Sequence, residues 1–449
     1  MAMPAGQYHT FNEKASKTGH IEVLKSEWVK SLLDDFYTDD VNDETIYDNS
    51  IWVDYNLDEI NDKELEHIWV VDGSYVEENS NKKELVYIKA ALLNINQNKI
   101  DDIDVLNPHP MKLQKIMSDS AIFHATVLPL RNLKSKRGNI YDTVRNIIYD
   151  SLKLQDNGIF YETYKWLIYK KWNNLNNNSP AFECPFCGKK IDDGMPYDSD
   201  KYICPYCNNE LLSTDILGFH LDMDDDYAKL KVGTSYMTII EHLMLFTVIR
   251  HNWNLQSKDV LSNTLYIKDG PMILGGQYAK LVPLIREMLE FAKQDKRPIH
   301  IIGVEKTGEF VDFLSNIAKF NKVEDNHIKC AILSHQYIRE KIKRIGKFDP
   351  SQKSPYGFRT NWGEKAFVIL DNYSHFVLNL TTGNYYDDEN EPNENQIIGI
   401  MRILKTLPKL ISRKYDGAIY PIELANGIAS MSNYPSSKIL ERFTESNIK

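Results

Sequence analysis

The sequence predicts an α/β fold, a mixed sheet flanked by helices and interrupted by one metal-stapled insertion. Three observations carry that expectation. Ile68-Trp69-Val70-Val71-Asp72-Gly73 is an apolar run with three β-branched residues, the composition of a strand buried on both faces, and Gly73 is expected to end it. Leu265-Tyr266-Ile267-Lys268-Asp269-Gly270 repeats the arrangement about two hundred positions later. Between them lie Cys184-Pro185-Phe186-Cys187 and Cys204-Pro205-Tyr206-Cys207, two knuckles separated by sixteen residues. That spacing is the one used by a four-cysteine zinc ribbon, in which each tight turn offers two thiolates and the pair completes a tetrahedron.

With 449 residues the chain exceeds one ordinary core, so one large domain with an insertion, or two to three domains, is expected. A hydrophobic content of 42% with 11% aromatics marks a folded globular protein. The formal net charge of −10 argues against coating nucleic acid by bulk electrostatics; a polyanion must be met by a local basic groove or through a partner. No run of eighteen apolar residues occurs and Met1 to Lys14 has no apolar core of a signal peptide, so a soluble, cytoplasmic chain without membrane contact is expected. Gathering four of five cysteines in one stretch suits a reducing compartment and a metal site better than a disulfide framework; Cys330, inside an apolar strand, reads as a small buried hydrophobe.

In order along the chain, Ile21 to Phe36 has helical spacing of its apolar residues, and Asp34 to Glu66 is acidic and weakly patterned. Strands are expected at 68–72, 84–93 and 121–130, then helices over Tyr141–Leu154 and Glu162–Trp172, with the Asn-rich 173–179 as a linker. After the cysteines, Tyr236–Trp253 is the most apolar helix candidate. Alternation then resumes: helices at 281–293 and 307–320, strands at 299–304 and 328–333, an antiparallel pair at 365–370 and 375–380, an acidic loop at 387–395, and two last helices at 396–410 and 421–434. The domain boundaries that follow are a helical extension over 1–44, a core in two parts over 45–180 and 213–449, and the ribbon as an insertion over 181–212.

Two strands delivering carboxylates from similar positions are what a divalent-cation site requires, since hard cations take several oxygen ligands from elements close in space. A lone Asp-Gly is more often a turn, and the recurrence is what favours the ligand reading. Glu241 stands in the middle of the apolar stripe formed by Met237, Met244, Leu245 and Val248, and reads either as a ligand or as a carboxylate paired with a buried base. Lys306, just past the 299–304 strand, could stabilise charge on a phosphate, or could simply face solvent. Arg339, Lys341, Lys343, Arg344 and Lys347, followed by Lys353 and Arg359, form the densest basic run and the main DNA-contact candidates; Arg131, Lys134, Lys136 and Arg137 form a smaller one.

Taken together, Val71-Asp72-Gly73-Ser74, the helical Glu241, Ile267-Lys268-Asp269-Gly270, Gly303-Val304-Glu305-Lys306 and Tyr420-Pro421-Ile422-Glu423-Leu424-Ala425 resemble, in order and spacing over about residues 45 to 435, the NurA nuclease family. The resemblance implies an RNase H-like core and a manganese- or magnesium-dependent DNA nuclease that forms a homodimer and works with a hexameric HerA-type ATPase in DNA end processing or anti-phage defence. It assigns Asp72, Glu241 and Asp269 to the Mn2+ or Mg2+ site and Lys306 to the active site. The chain departs from the family pattern in two places. Ser334-His335-Gln336 stands where an Asp is usual, which makes His335 the candidate to ligate metal or relay a proton, and Asn426 stands where a His is usual. These departures support an alternative, a catalytically degraded NurA-like subunit that binds DNA or docks the ATPase. A zinc-ribbon transcription or RNA-processing factor would leave the paired Asp-Gly strands unexplained.

Overall fold

The computed structural model describes residues 26–35, 49–80, 83–96, 121–255, 259–344, 356–371, 373–383, 394–411, 419–431 and 436–447. The chain divides into two compact units, 1–48 and 49–449. In the first, helix α1 (Glu27–Asp34) is started by Ser26, whose side chain accepts from the Val29 amide.

The second unit is built on a nine-stranded sheet. Strands β2 (His67–Ser80), β3 (Lys83–Asn96) and β4 (Ala121–Arg131) form an antiparallel meander. Strand β9 (Thr264–Asp269) then lies parallel to β2, and β10 (His300–Glu305) parallel to β9. A meander of three followed by two parallel strands, in the spatial order β4-β3-β2-β9-β10, is the RNase H-like arrangement. Beyond β10 the sheet continues antiparallel through β13 (His375–Leu380), β12 (Glu364–Ile369), β11 (His327–Ile332) and β1 (Val53–Asn56).

Side-chain alternation divides the sheet into two apolar faces. Val71, Val86, Ile88, Ala90 and Leu92 bury on one, against helices α2 (Ile140–Leu154), α3 (Ile159–Ile168), α4 (Leu230–Asn254) and α5 (Leu281–Gln294). Val70, Ala91, Leu93, Ile267, Ile302 and Val304 bury on the other, against α7 (Ile400–Thr406) and α8 (Tyr420–Ala429). Two further helices are α6 (Glu309–Ala318) and α9 (Ser436–Asn447). Among the described residues α4 is the one helix long and apolar enough to cross a membrane, and 78% of its most apolar window is buried within the fold.

Several expectations need correction. Gly73 does not end its strand; β2 runs on to Ser80, and what stops at this level is the partner β9, so Asp72 marks the end of parallel pairing. The strand at 53–56 was illegible because it is a polar edge strand, half exposed. The helix expected over 396–410 begins only at Ile400. Gly399 before it takes φ 66°, and a Cβ there would fall 2.1 Å from the His300 ring, so the chain turns at that point. Of the acidic loop, 387–393 lies outside the described residues, as do Lys347 and Lys353.

Buried histidines make stability pH-dependent, His124 and His300 among them. His124, within 3.1 Å of the Tyr236 hydroxyl, has its pKa held down to about 4 by burial. Burial, then the charge of Arg402, hold His300 at about 3. Both stay neutral in the fold, whereas the unfolded chain takes up protons below about 6.5. Stability is therefore expected to fall as pH drops from about 6.5 towards 4, by up to about 1.4 kcal/mol per pH unit for each histidine. Urea midpoints measured at pH 7.5, 6 and 5 test this; a His124→Phe variant should lose part of the slope, and an unchanged slope would contradict the assignment.

Candidate active site and four-cysteine centre

The first site stands where parallel pairing ends. Val71 pairs with Lys268, and Val304 with Asp269. One residue further on, Asp72 and Asp269 leave neighbouring strands side by side, on the face that also buries Val70 and Ile267. Lys306, the residue after β10, places its Nζ 2.8 Å from Asp269 Oδ2. The Gly73 amide donates to Asp72 Oδ1 at 2.8 Å.

Glu241 reaches this place from the other face of the sheet. It is buried on α4, and its Oε2 lies 2.9 Å from the Nζ of Lys268, with both side chains only 6% exposed. Lys268 also donates to the main-chain oxygen of Asp269 at 2.7 Å. The approach needs a residue without a Cβ on β2: at Gly73 that atom would fall 2.6 Å from Glu241 Oε1 and 2.8 Å from Met237 Cγ.

The charges of the three acids are coupled. Burial pushes the Asp72 carboxyl up to about 8, reinforced by the negative charges of Asp269 and Glu241 and opposed by Lys306 and the Gly73 amide. Burial also raises Glu241, against the pull of Lys268. Among the described residues the acids are not drawn into a closed cluster, and Lys306 and Lys268 stand against two of them. The donor set consists of hard oxygens with unrelieved mutual repulsion, which suits a divalent cation of the Mg2+ or Mn2+ type; a cation there would lower the cost of keeping Asp72 ionised.

His335 lies apart from this group. It opens the short helix after β11, its Nδ1 accepts from the Tyr356 amide at 3.1 Å, and burial, then Arg286 and Arg339, hold its pKa down at about 4. In the basic run, Lys341 and Arg344 are exposed and Arg339 is half-buried, while Lys343 is engaged by Glu309. Asn426 is exposed on α8. Lys268 is the residue that sequence reasoning left without a role. A lysine inside Leu265-Tyr266-Ile267-Lys268 was the available signal, because a lysine in a buried strand must have an anionic partner.

The second site is the cysteine centre. Hairpins β5–β6 (Phe182–Glu183 and Lys190–Ile191) and β7–β8 (Lys201–Ile203 and Glu210–Leu212) each present one knuckle. Gly188 and Asn208, just after the second cysteine of each knuckle, both take positive φ, 67° and 59°, and both donate their amides to the first cysteine's carbonyl. The Sγ atoms of Cys184 and Cys207 lie 3.7 Å apart, those of Cys187 and Cys204 3.9 Å, and all four fall within 4.8 Å of one another. Sulfurs about 2.3 Å from a shared tetrahedral ion stand roughly 3.8 Å apart, so the spacing matches a thiolate zinc site with no open position.

The sequence matches no protein-family model, and no curated protein matches it significantly. Among solved structures it is similar to the NurA nuclease from Sulfolobus solfataricus, at 11% identity and a TM-score of 0.34, covering 99% of this chain and 97% of that one. It is also similar to NurA bound to dAMP and manganese, at 11% identity and a TM-score of 0.31, covering 97% and 98%. Likeness at this level carries no argument about activity, and the functional reading rests on the side chains themselves.

The tight seat of Glu241 is testable. A Gly73→Ala change would ordinarily stabilise a strand slightly; here it is expected to destabilise the protein by about 1–3 kcal/mol, because Glu241 or Met237 must move. Urea unfolding reads the sign, and a variant as stable as the parent would show that Glu241 is not held against β2.

Proposed function

We propose that this protein is a divalent-metal-dependent deoxyribonuclease that hydrolyses DNA phosphodiester bonds. The observation that carries the reading is the pair Asp72 and Asp269, presented side by side where β9 ends, with Lys306 at hydrogen-bond distance from Asp269. Asp72, Asp269 and Glu241 would hold Mn2+ or Mg2+, which when bound supplies a hydroxide nucleophile and neutralises charge on the phosphate. The protein's own part is to place two carboxyl groups next to each other and to orient the phosphodiester. Lys306, 29% exposed, has room to leave Asp269 and meet a phosphate oxygen as negative charge builds on it. Exposed Lys341 and Arg344 are the proposed contacts to the DNA backbone, with Arg339 and Lys343 behind them. His335, buried at the start of the short helix after β11, is proposed to relay a proton.

Asp72→Asn and Asp269→Asn are each expected to reduce Mn2+-dependent cleavage of single- or double-stranded DNA by several orders of magnitude while the fold persists, and EDTA should abolish the parent activity. Lys306→Ala should cost less, since it removes a charge and not a metal ligand. Folded Asp72→Asn protein cutting at the parental rate would overturn the assignment. The homodimer and the HerA-type hexameric ATPase partner belong to the proposal through the motif resemblance alone. A purified chain that is silent on DNA with either metal, yet co-elutes with such an ATPase, would favour the docking-subunit alternative.

We assign zinc to the four cysteines as a structural ion. Elemental analysis should find about one zinc per chain, and Cys204→Ser should lose it and lower stability without removing the Mn2+ response. Near-zero zinc in protein never exposed to chelator would refute the assignment.

A further inference from the structure

The described residues hold one buried lysine whose position ties the separate acids of the site together. Lys268 Nζ lies 2.9 Å from Glu241 Oε2 and donates to the Asp269 carbonyl at 2.7 Å, so a single ammonium links the third acid's carboxylate to the backbone of the second acid. The far oxygen of Glu241 packs on Gly73, whose amide is bonded to the first acid, Asp72. Glu241 is thus clamped between residues adjacent in sequence to each of the two aspartates. It needs such a clamp because it arrives on a helix across the sheet, with no strand register to fix it.

We propose that Lys268 is a positioning residue that holds the Glu241 side chain in register with Asp72 and Asp269, setting the third oxygen ligand of the divalent-cation site. This rests on the metal-site reading above and adds a residue to it. Lys306 and Lys268 divide the labour by exposure. Lys306, 29% exposed with one acid to bind, is displaceable by substrate, whereas Lys268, 6% exposed and doubly bonded, is fixed and stays with Glu241 throughout. Removing the Lys268 ammonium takes away the contact that fixes the buried Glu241 side chain, which is then no longer held in place as a ligand.

The test is a double-substitution cycle on the full chain with Mn2+ as the probe. Binding is read by the paramagnetic resonance of free Mn2+, which is blind to zinc, and stability by urea unfolding in the absence of Mn2+. Lys268→Met and Glu241→Gln should each weaken Mn2+ binding roughly 10–100-fold, the usual size of a lost supporting contact, and the double variant should be no weaker than Glu241→Gln alone. In the metal-free protein Lys268→Met should be the least stable of the set, with Glu241→Gln added to it restoring part of the loss, because the unpaired charge is then gone. A purely structural lysine would give the stability pattern without the Mn2+ pattern, so Lys268→Met protein that binds Mn2+ within twofold of the parent overturns this inference. A parent chain that binds no Mn2+ overturns the metal-site reading itself and this inference with it. If Lys268→Met fails to fold, the double variant supplies the comparison: binding more than tenfold weaker than Glu241→Gln alone would mean that Lys268 acts elsewhere.

Discussion

Keeping several carboxylates ionised inside a protein is the constraint on which the centre of this fold depends. A carboxylate removed from water without compensation costs several kcal/mol, and a second one nearby adds to the cost. The chain meets this in three ways at one level of the sheet. It ends β9 at Asp269, so that Asp72 and Asp269 face an open end instead of a continued ladder. It sets Lys306 and Lys268 against Asp269 and Glu241. It removes the side chain at Gly73, which frees both the space and the amide that the acids use. What remains uncompensated is concentrated on Asp72, and that residual repulsion is what the proposed cation would relieve.

The same balance explains why this region tolerates a deeply buried second network a few residues away. Glu305, directly before Lys306, accepts from Lys365 and from Asn379 at 2.7 Å, and Glu364 faces Arg286 at 3.7 Å. The Glu305 carboxylate is closed by partners on β12 and β13, so it holds the end of β10 in place without inviting an ion. A buried pair completed by hydrogen bonds is a fixture, whereas a pair of like charges is a demand. Adjacent residues 305 and 306 therefore take different parts because alternation sends them to different faces.

Much of this was legible in the sequence where the physics is local. The recurrence of an apolar strand ending in Asp-Gly located both aspartates, and the knuckle spacing located the cysteines, because a tight turn fixes the distance between its thiolates wherever it occurs. Glu241 was visible as a carboxylate in an apolar stripe, but whether it paired with a base or served as a ligand could not be read, since the deciding partner, Lys268, is brought by tertiary packing. The reading of Gly73 as a strand end failed for a similar reason. A glycine that breaks a strand and a glycine that admits a neighbour are the same letter, and only the presence of α4 beside β2 separates them. The edge strand β1 was missed because an edge strand shows little hydrophobic pattern.

The cysteine insertion shows how a local motif becomes part of a larger body. On the side away from the thiolates, Lys165 of α3 meets both Asp198 and Asp200 of the insertion, at 2.7 and 2.8 Å, and Lys153 of α2 meets Asp200 at 2.6 Å. Tyr161 donates to Asp200 at 3.0 Å as well. Just after β8, Arg145 of α2 grips Asp215 through two bonds of 2.7 Å with both side chains buried. Ion pairs that are mostly exposed contribute little each, but the fork of Arg145 on a carboxylate is directional and desolvated, and it fixes orientation as well as distance. The ribbon is therefore fastened to α2, which packs on β4, and to α3, which packs on α2 and α4. Metal at the thiolates would order the knuckles, and the knuckles in turn order Asp198 and Asp200 against α2 and α3. By this route the proposed structural ion would support the layer on which the sheet, and with it the spacing of Asp72 and Asp269, is built.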